Sequence, residues 1–455
     1  MAIKSVSREF SITMERDVVV CGGGTAGTVA AIVAARNGAK TLLLESSGSL
    51  GGTCTNGGVN GLHGMKRHWK GQKVDEVIRG MAQEIRDRLI DMGATIGKKG
   101  ESADLRYDPE LFRLLMDRMC EEAGVEVLFQ TYVIDAIKEG DSVEGVTFVN
   151  KSGKGAAAAH VVIDATGDAD VAVEAGAEVM KNRIEGKPMP FTLIFNIGGV
   201  ESDLEGLFKD GPSDNRVAFL RKGHTNGNLP YARNANDFGF FQINSQMMRG
   251  GKWRKGLGRI NMDMVYNSDA TDARKLSDAW IYARKRMYEI LHFVQKEVPG
   301  CQEAFVIYSS PMMGIRDSRT IVGDHVLTEE DFVACRKFPD AIGKSGRAMN
   351  VHPPSGLPKE YTKQWEPPFW TEIPEPFDIP YRALLPKGLE NILVAGRCIS
   401  AKGLMQGSIR GEPQCMVTGQ AAGTAAAIAV RDRVTPRKVD VKKLQTLLKE
   451  QGAIL

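Results

Sequence analysis

The sequence predicts an α/β fold: a parallel-sheet domain interrupted by an inserted α+β segment and completed near the C-terminus. Three observations predict it. A short apolar run, Asp17 to Cys21, leads through a glycine turn into an alanine-rich helix and a second apolar run, Lys40 to Glu45. From about Glu178 to Pro376 the pattern changes to separated strands, one long helix and proline-rich loops. Asn391 to Ala395 then reads again as a buried strand, and Cys415 to Val430 as an Ala/Gly-rich helix. The expected boundaries are 1–178 and 377–455 for the sheet domain and 179–376 for the insertion.

The first unit is the most specific. Gly22-x-Gly24-x-x-Gly27 follows a strand and opens a helix over Thr28 to Asn37, which Gly38 ends. Gly22 permits the tight turn, Gly24 lets backbone approach a pyrophosphate, and Gly27 lets helix and strand pack closely. Thr25 and Ala26 lie in the same turn, where the helix N-terminus offers free N–H groups and partial positive charge to phosphates. Glu45 ends the second strand at the spacing expected of an acid that binds ribose hydroxyls, with Ser46 beside it. The first domain is therefore Rossmann-like and dinucleotide-binding.

Further elements follow in order. Residues 75–92 read as a helix, and Pro109 begins another that Gly124 closes. Val125 to Phe129 is a strand, and Val133 to Val149 with Ala156 to Ala165 a strand meander. In the insertion, Thr192 to Val200, Gly258 to Val265 and Gln302 to Ser309 read as strands and Asp269 to Val298 as a long helix.

Composition narrows the function. Lys+Arg 59 against Asp+Glu 56 gives a net charge of only +3, without the clustered basic excess of a nucleic-acid binder. The tryptophan-bearing basic stretches Lys66 to Lys70 and Arg249 to Arg259 read as solvated loops or an interface. The N-terminus has no secretory pattern, and no apolar stretch reaches the ~20 residues of a membrane helix, so the expectation is a cytoplasmic protein without a membrane span. Seven scattered cysteines without a CxxC pair argue against a zinc cluster or a disulfide framework, and no metal site is expected.

The glycine turn alone serves NAD and FAD equally. Four features favour FAD: Gly51-Gly52-Thr53 after the acidic strand end, Asp164-Ala165-Thr166-Gly167-Asp168 after a late strand, Asn391 to Arg397 as a strand ending in a glycine turn, and a last helix bearing Gly419 and Gly423. No second G-x-G-x-x-G follows in strand–helix context, so electrons are expected from a substrate or a separate donor or acceptor.

With these residues in view, the sequence resembles the FAD-dependent oxidoreductases of the glutathione-reductase-type fold. Within them it is most like the bacterial "FAD dependent oxidoreductase" family, related to succinate dehydrogenase and fumarate reductase flavoproteins. The resemblance runs over nearly the whole chain. It implies a Rossmann-like FAD-binding domain with an inserted α+β substrate or capping domain. It also implies that Ala165, Thr166 and Gly167 lie near the pyrophosphate, that Gly396 and Arg397 meet the ribityl–pyrophosphate region, and that Val133 meets the adenine. The backbone from Ser408 to Pro413 would face the flavin pyrimidine.

Candidates for the chemistry follow. Cys54 sits where disulfide reductases carry a redox cysteine, but the partner position holds Val59, so a disulfide relay cannot form. Cys54 is left as a lone thiol at the flavin, an attachment point or a small packing residue; His63 in the same loop is a second attachment candidate. Gly314-Ile315-Arg316-Asp317-Ser318-Arg319 resembles a family segment, with Arg316 and Arg319 expected on one face. Two guanidiniums there suit a carboxylate or polyhydroxyl substrate, or an ion-pair network at the domain junction. Arg410 precedes the last helix, where relatives clamp substrate or pass a proton. His352, in a proline-stiffened loop, suits acid–base work or a structural hydrogen bond. The expected reaction is hydride transfer between flavin and a small polar substrate. A redox-neutral flavoenzyme of hydratase or lyase type, a Cys54 thiol enzyme and a flavoprotein subunit of a complex stand as rivals, and a homo-oligomer is left open.

Overall fold

A computed structural model describes residues 14–69, 72–95, 97, 99–100, 105–181, 186–201, 242–244, 248–249, 252–253, 255–352 and 370–455. The N-terminal part runs β1 (Met14–Cys21), α1 (Thr25–Arg36), β2 (Thr41–Leu44), α2 (Pro109–Ala123), β3 (Glu126–Leu128), β4 (Tyr132–Glu139), β5 (Ser142–Asn150) and β6 (Gly153–Asp164). These strands form a seven-stranded sheet in the order β3-β2-β1-β6-β5-β4, with the Ile392–Val394 strand also paired to β6. β3, β2, β1, the end of β6 and Ile392–Val394 are parallel. Val18 to Val20, Leu42 to Leu44 and Val161 to Ile163 are buried, the continuous apolar runs of a sheet covered on both faces.

The insertion carries β7 (Phe191–Val200), β8 (Gln242–Asn244), β9 (Gly256–Val265), α3 (Ala273–Glu297) and β10 (Phe305–Ser309). They make a four-stranded antiparallel sheet in the order β8-β9-β7-β10. The side chains of β7 alternate. Phe191, Leu193, Phe195 and Ile197 join two apolar clusters with Ala279, Ala283, Met287, Ile290 and Phe293 of α3. Thr192, Ile194 and Asn196 lie on the other face.

The chain then returns through Ile392–Val394 to α4 (Glu412–Asp432) and ends with the short helix Val441–Glu450. α4 lies directly on α1. A Cβ on Gly419 would stand 2.2 Å from the Ala26 carbonyl oxygen, and one on Gly423 would stand 2.3 Å from that of Ala30. Two glycines one turn apart thus let the first and last helices meet backbone to backbone. Among the described residues no helix is long and apolar enough to cross a membrane.

Element boundaries depart from the sequence expectation for local reasons. The helix read over 75–92 is Met81–Asp91; Gln72–Glu76 is instead a strand paired with Lys66–Trp69, and Val77 and Ile78 donate to the Met65 carbonyl. α3 begins after Asp272, whose side chain caps the Arg274 and Lys275 N–H groups, while Asp269 is spent in a turn with Thr271. α4 starts earlier than Cys415 because Pro413 sits in its first turn, preset for helix. The basic stretch Arg249 to Arg259 falls mostly outside the described side chains.

The α1–α4 contact predicts an outcome. Gly419→Val is expected to lower stability by about 1–3 kcal/mol through overpacking, measured by urea unfolding. Gly48→Ala, whose Cβ would meet no atom within 4 Å, is expected to stay within about 0.5 kcal/mol of the parent.

Candidate functional site

The carboxyl ends of the parallel strands converge, the place where open α/β sheets bind ligands. The Gly22 N–H donates to Leu44, that of Glu45 to Leu128, that of Ala165 to Cys21 and that of Ala395 to Asp164, all at 2.8–2.9 Å. The glycine turn lies over this edge. Gly22 has φ +98°, and a Cβ there would strike the Ala165 carbonyl at 2.5 Å; one on Gly27 would stand 1.8 Å from the Gly22 carbonyl. Those two glycines are required by the protein itself.

Gly24 is different. Its φ of −68° suits any residue, and a Cβ there would meet no protein atom within 4 Å. Nothing in the fold demands glycine, yet the backbone is left bare beside the first turn of α1. That turn, Thr25 to Gly27, lacks intrahelical acceptors for its N–H groups and contains no acidic residue. This open, donor-rich space fits a pyrophosphate. Glu45 closes one side, its carboxylate accepting from the Gly23 N–H and the Ser47 N–H at 2.6 Å each, with Ser46 Oγ at 3.4 Å. Val133 is half-buried on β4, two residues beyond Thr131, whose N–H donates to the Glu45 carbonyl.

Around this turn the later segments are braced. Asp164 is fully buried and accepts from the Thr166 N–H and hydroxyl and from the Ala172 N–H. Arg397 donates to Ser318 Oγ and to the Asp168 carboxylate, each at 2.7 Å, and Ser318 also donates to Asp168. Gly167 lies against the Arg397 guanidinium. The Gly396 N–H donates to Thr418 Oγ1 of α4 at 3.0 Å. Gly52 packs on the Gly24 Cα, and the Thr53 carbonyl accepts from the Val59 N–H.

Cys54 is fully buried, 3.3 Å from Thr25 Oγ1, with Tyr107 donating to its carbonyl. Burial, reinforced by the Glu412 charge, pushes its thiol well up. His63 is exposed, and its carbonyl accepts from Arg347 at 3.1 Å. Among the described residues no group of three or more His, Cys, Asp or Glu could hold a metal ion.

The two arginines expected on one face separate. Arg319 begins a strand, donates to the Asp168 carbonyl at 2.8 Å and pairs with the Asp170 carboxylate, so it braces the junction. Arg316 lies in the loop before it, donates to the Pro190 carbonyl, and joins another group. Desolvation and the positive charges of Arg316, Arg410 and Arg347 push buried His352 well below the usual imidazole range. Desolvation lowers Arg316 to about 10; desolvation with the neighbouring Arg316 and Arg347 charges lowers Arg410 to about 9. Arg410 donates to the Asn350 carbonyl at 3.1 Å. None of these three guanidiniums is ion-paired among the described residues, and Arg347 Nε and Arg410 Nε are buried without hydrogen-bond partners.

Sequence reasoning missed Arg347, which carries no motif; its only signal is lying five residues before His352. It also missed Asp168 with Ser318 as the partners that hold Arg397.

Two outcomes follow from this geometry. Gly24→Val is expected to leave the apo chain within about 0.5 kcal/mol of the parent yet abolish flavin absorbance in the purified protein. His352 is kept neutral in the fold, whereas the unfolded chain protonates it near pH ~6.5. Stability is therefore whole above that pH and falls below it, with a slope approaching about 1.4 kcal/mol per pH unit from this group. His352→Gln should flatten that acid limb in urea unfolding.

Mitochondrial dihydrolipoyl dehydrogenase of Caenorhabditis elegans is 51% identical over 53 residues, 12% of this chain and 11% of that protein. Dihydrolipoyl dehydrogenase of Manduca sexta is 50% identical over 56 residues, with the same coverage. The chain thus matches only about a tenth of these relatives' length. A geranylgeranyl bacteriochlorophyll reductase-like protein of Thermoplasma acidophilum aligns over 96% of this chain and 84% of its own, at 15% identity and TM-score 0.48. At that level it carries no argument about activity. The model of the FAD dependent oxidoreductase family matches residues 17–448. The chain belongs to that family: it is an FAD-dependent oxidoreductase, an enzyme whose cofactor is FAD.

Proposed function

We propose that this enzyme oxidises or reduces a small organic anion, gripped by Arg316, Arg347 and Arg410 with His352 handling the proton. The observation that carries the reading is the cluster itself. Three guanidiniums from separate stretches gather on one histidine, none of them ion-paired among the described residues. Gathering like charges is unfavourable unless a ligand completes the arrangement, and a carboxylate matches the guanidinium fork.

Bound FAD supplies the two-electron chemistry, exchanging a hydride with a substrate carbon. The residues proposed to hold it are Gly22, Gly24, Thr25, Ala26 and Gly27 at the pyrophosphate, Glu45 and Ser46 at the ribose, and Val133 at the adenine. Gly52, Thr53, Ala165, Thr166, Gly167, Gly396 and Arg397 complete the shell. The chain's own task is then to orient the anion and move one proton. A neutral imidazole can accept a hydroxyl proton as an alcohol is oxidised and return it in the reverse direction. The insertion, taken as 179–376, would supply Arg316, Arg347 and His352 as a cap over the site. A separate electron donor or acceptor would complete the cycle.

A buried Cys54 thiol with a raised pKa makes a poor nucleophile, which weighs against the thiol-enzyme reading. Arg319, held by Asp168 and Asp170, is proposed to position the junction.

Anaerobic screening of small carboxylates for bleaching of the flavin identifies the substrate. With it, Arg410→Ala is expected to lower kcat/KM by on the order of 10² or more while FAD absorbance is retained. Normal turnover in that variant would sink the proposal.

A further inference from the structure

The insertion sheet has a second face that its packing leaves unexplained. Phe195, Ile197 and Ile260 turn one face to α3. The opposite face should be solvated in an ordinary antiparallel layer. Here it is buried and, beside Ile194, carries polar residues: Asn196 is 4% exposed, Arg259 2% and Asn261 9%. Asn196 and Arg259 are directly paired across β7 and β9, so their side chains share that face.

What covers it is the loop that begins at the nucleotide turn. Gly52 rests on Gly24; a Cβ on Gly58 would meet Ser310 Oγ at 2.3 Å and Ile194 at 3.0 Å. The Gly58 carbonyl accepts from Arg259 Nε at 2.7 Å. Asn60, 3% exposed, follows on the same loop.

This enclosed face has unmet hydrogen bonds. Among the described residues, neither Nδ2 nor Oδ1 of Asn196 finds a partner, and neither do Asn60 Nδ2 and Asn261 Oδ1. A buried amide with both ends open is costly and needs an occupant. The same strand leads to the arginine cluster: Thr192 and Gly314 exchange backbone hydrogen bonds two residues before Arg316, whose guanidinium donates to the Pro190 carbonyl.

We propose that Asn196, with Asn60 and Asn261, forms a neutral subsite for a hydroxyl or carbonyl group of the substrate. An amide that both donates and accepts complements a hydroxyl, whereas Arg316, Arg347 and Arg410 complement a carboxylate. Together they select a hydroxy- or oxo-substituted carboxylic acid. The substrate class rests on the arginine reading above; the subsite rests on its own unmet hydrogen bonds.

The test uses the FAD-loaded enzyme and two measurements. Flavin absorbance is titrated with malate against succinate and with lactate against propionate. The hydroxy acid is expected to bind roughly tenfold more tightly than its deoxy counterpart. Asn196→Leu should erase that ratio and leave the deoxy acid's Kd unchanged. Without ligand, Asn196→Leu should melt at or above the parent, since a site built for a ligand sacrifices stability. A melting temperature lower by several degrees would mean that a structural water or protein group satisfies the amide, and overturns the subsite. A hydroxyl preference that survives in Asn196→Leu overturns it too. If none of the four acids binds to the parent, the arginine reading and this substrate class fail, while the melting result still judges the subsite.

Discussion

The structure depends on the backbone-to-backbone contact of α1 and α4. Gly419 and Gly423 face Ala26 and Ala30 at distances that admit no side chain. That contact fixes the last helix against the first, and the rest of the site hangs from it. Thr418 of α4 holds Gly396, and the segment leading into α4 carries Arg410. A chain that leaves its first sheet at Asp164 and pairs with it again only at Ile392–Val394 needs a device to return in one register. Small residues supply that device because a close approach is possible only where nothing projects.

Charge is arranged in two opposite ways within the site. Arg397, Arg319, Asp168 and Asp170 are paired, and Asp164 is satisfied by three donors, so this half is finished without a ligand. Arg316, Arg347 and Arg410 are instead gathered on a histidine that burial, with their charges, holds neutral. Removing cations from water without counter-charges is unfavourable, and the lowered pKa values of Arg316 and Arg410 register that cost. The first arrangement is complete within the chain; the second is the one proposed to receive an anion.

The sequence made the nucleotide half legible because its constraints are local. A turn that needs Gly22 and Gly27, followed at a fixed distance by Glu45, is written within one βαβ unit. Even there, only the structure separates the glycines demanded by the fold from Gly24, which the fold does not demand. The chemistry half was less legible. Arg316 and Arg319 are three residues apart, and helical spacing put them together; the backbone between them is not helical, and they diverge to Pro190 and to Asp170. Arg347 was invisible because nothing local distinguishes a loop arginine; what singles it out is that its charge acts on both His352 and Arg410. Asn196 was hidden inside an apolar run, Phe191 to Val200, where one polar residue reads as an interruption of a strand.

That interruption gains meaning from the alternation of β7. If the sheet were buried only to make a core, both faces would be apolar, as they are in the parallel sheet. A face exposed to water would carry polar residues without loss. β7 follows neither pattern, since Asn196 is polar, enclosed and, among the described residues, without partners beside buried Arg259. The same loop that covers this face begins against Gly24. One segment therefore spans from the bare backbone suited to a phosphate to the amide suited to a substrate group. Cys54, buried midway along it and held as a thiol, fits there as a small residue in a spacer that must stay thin between the two.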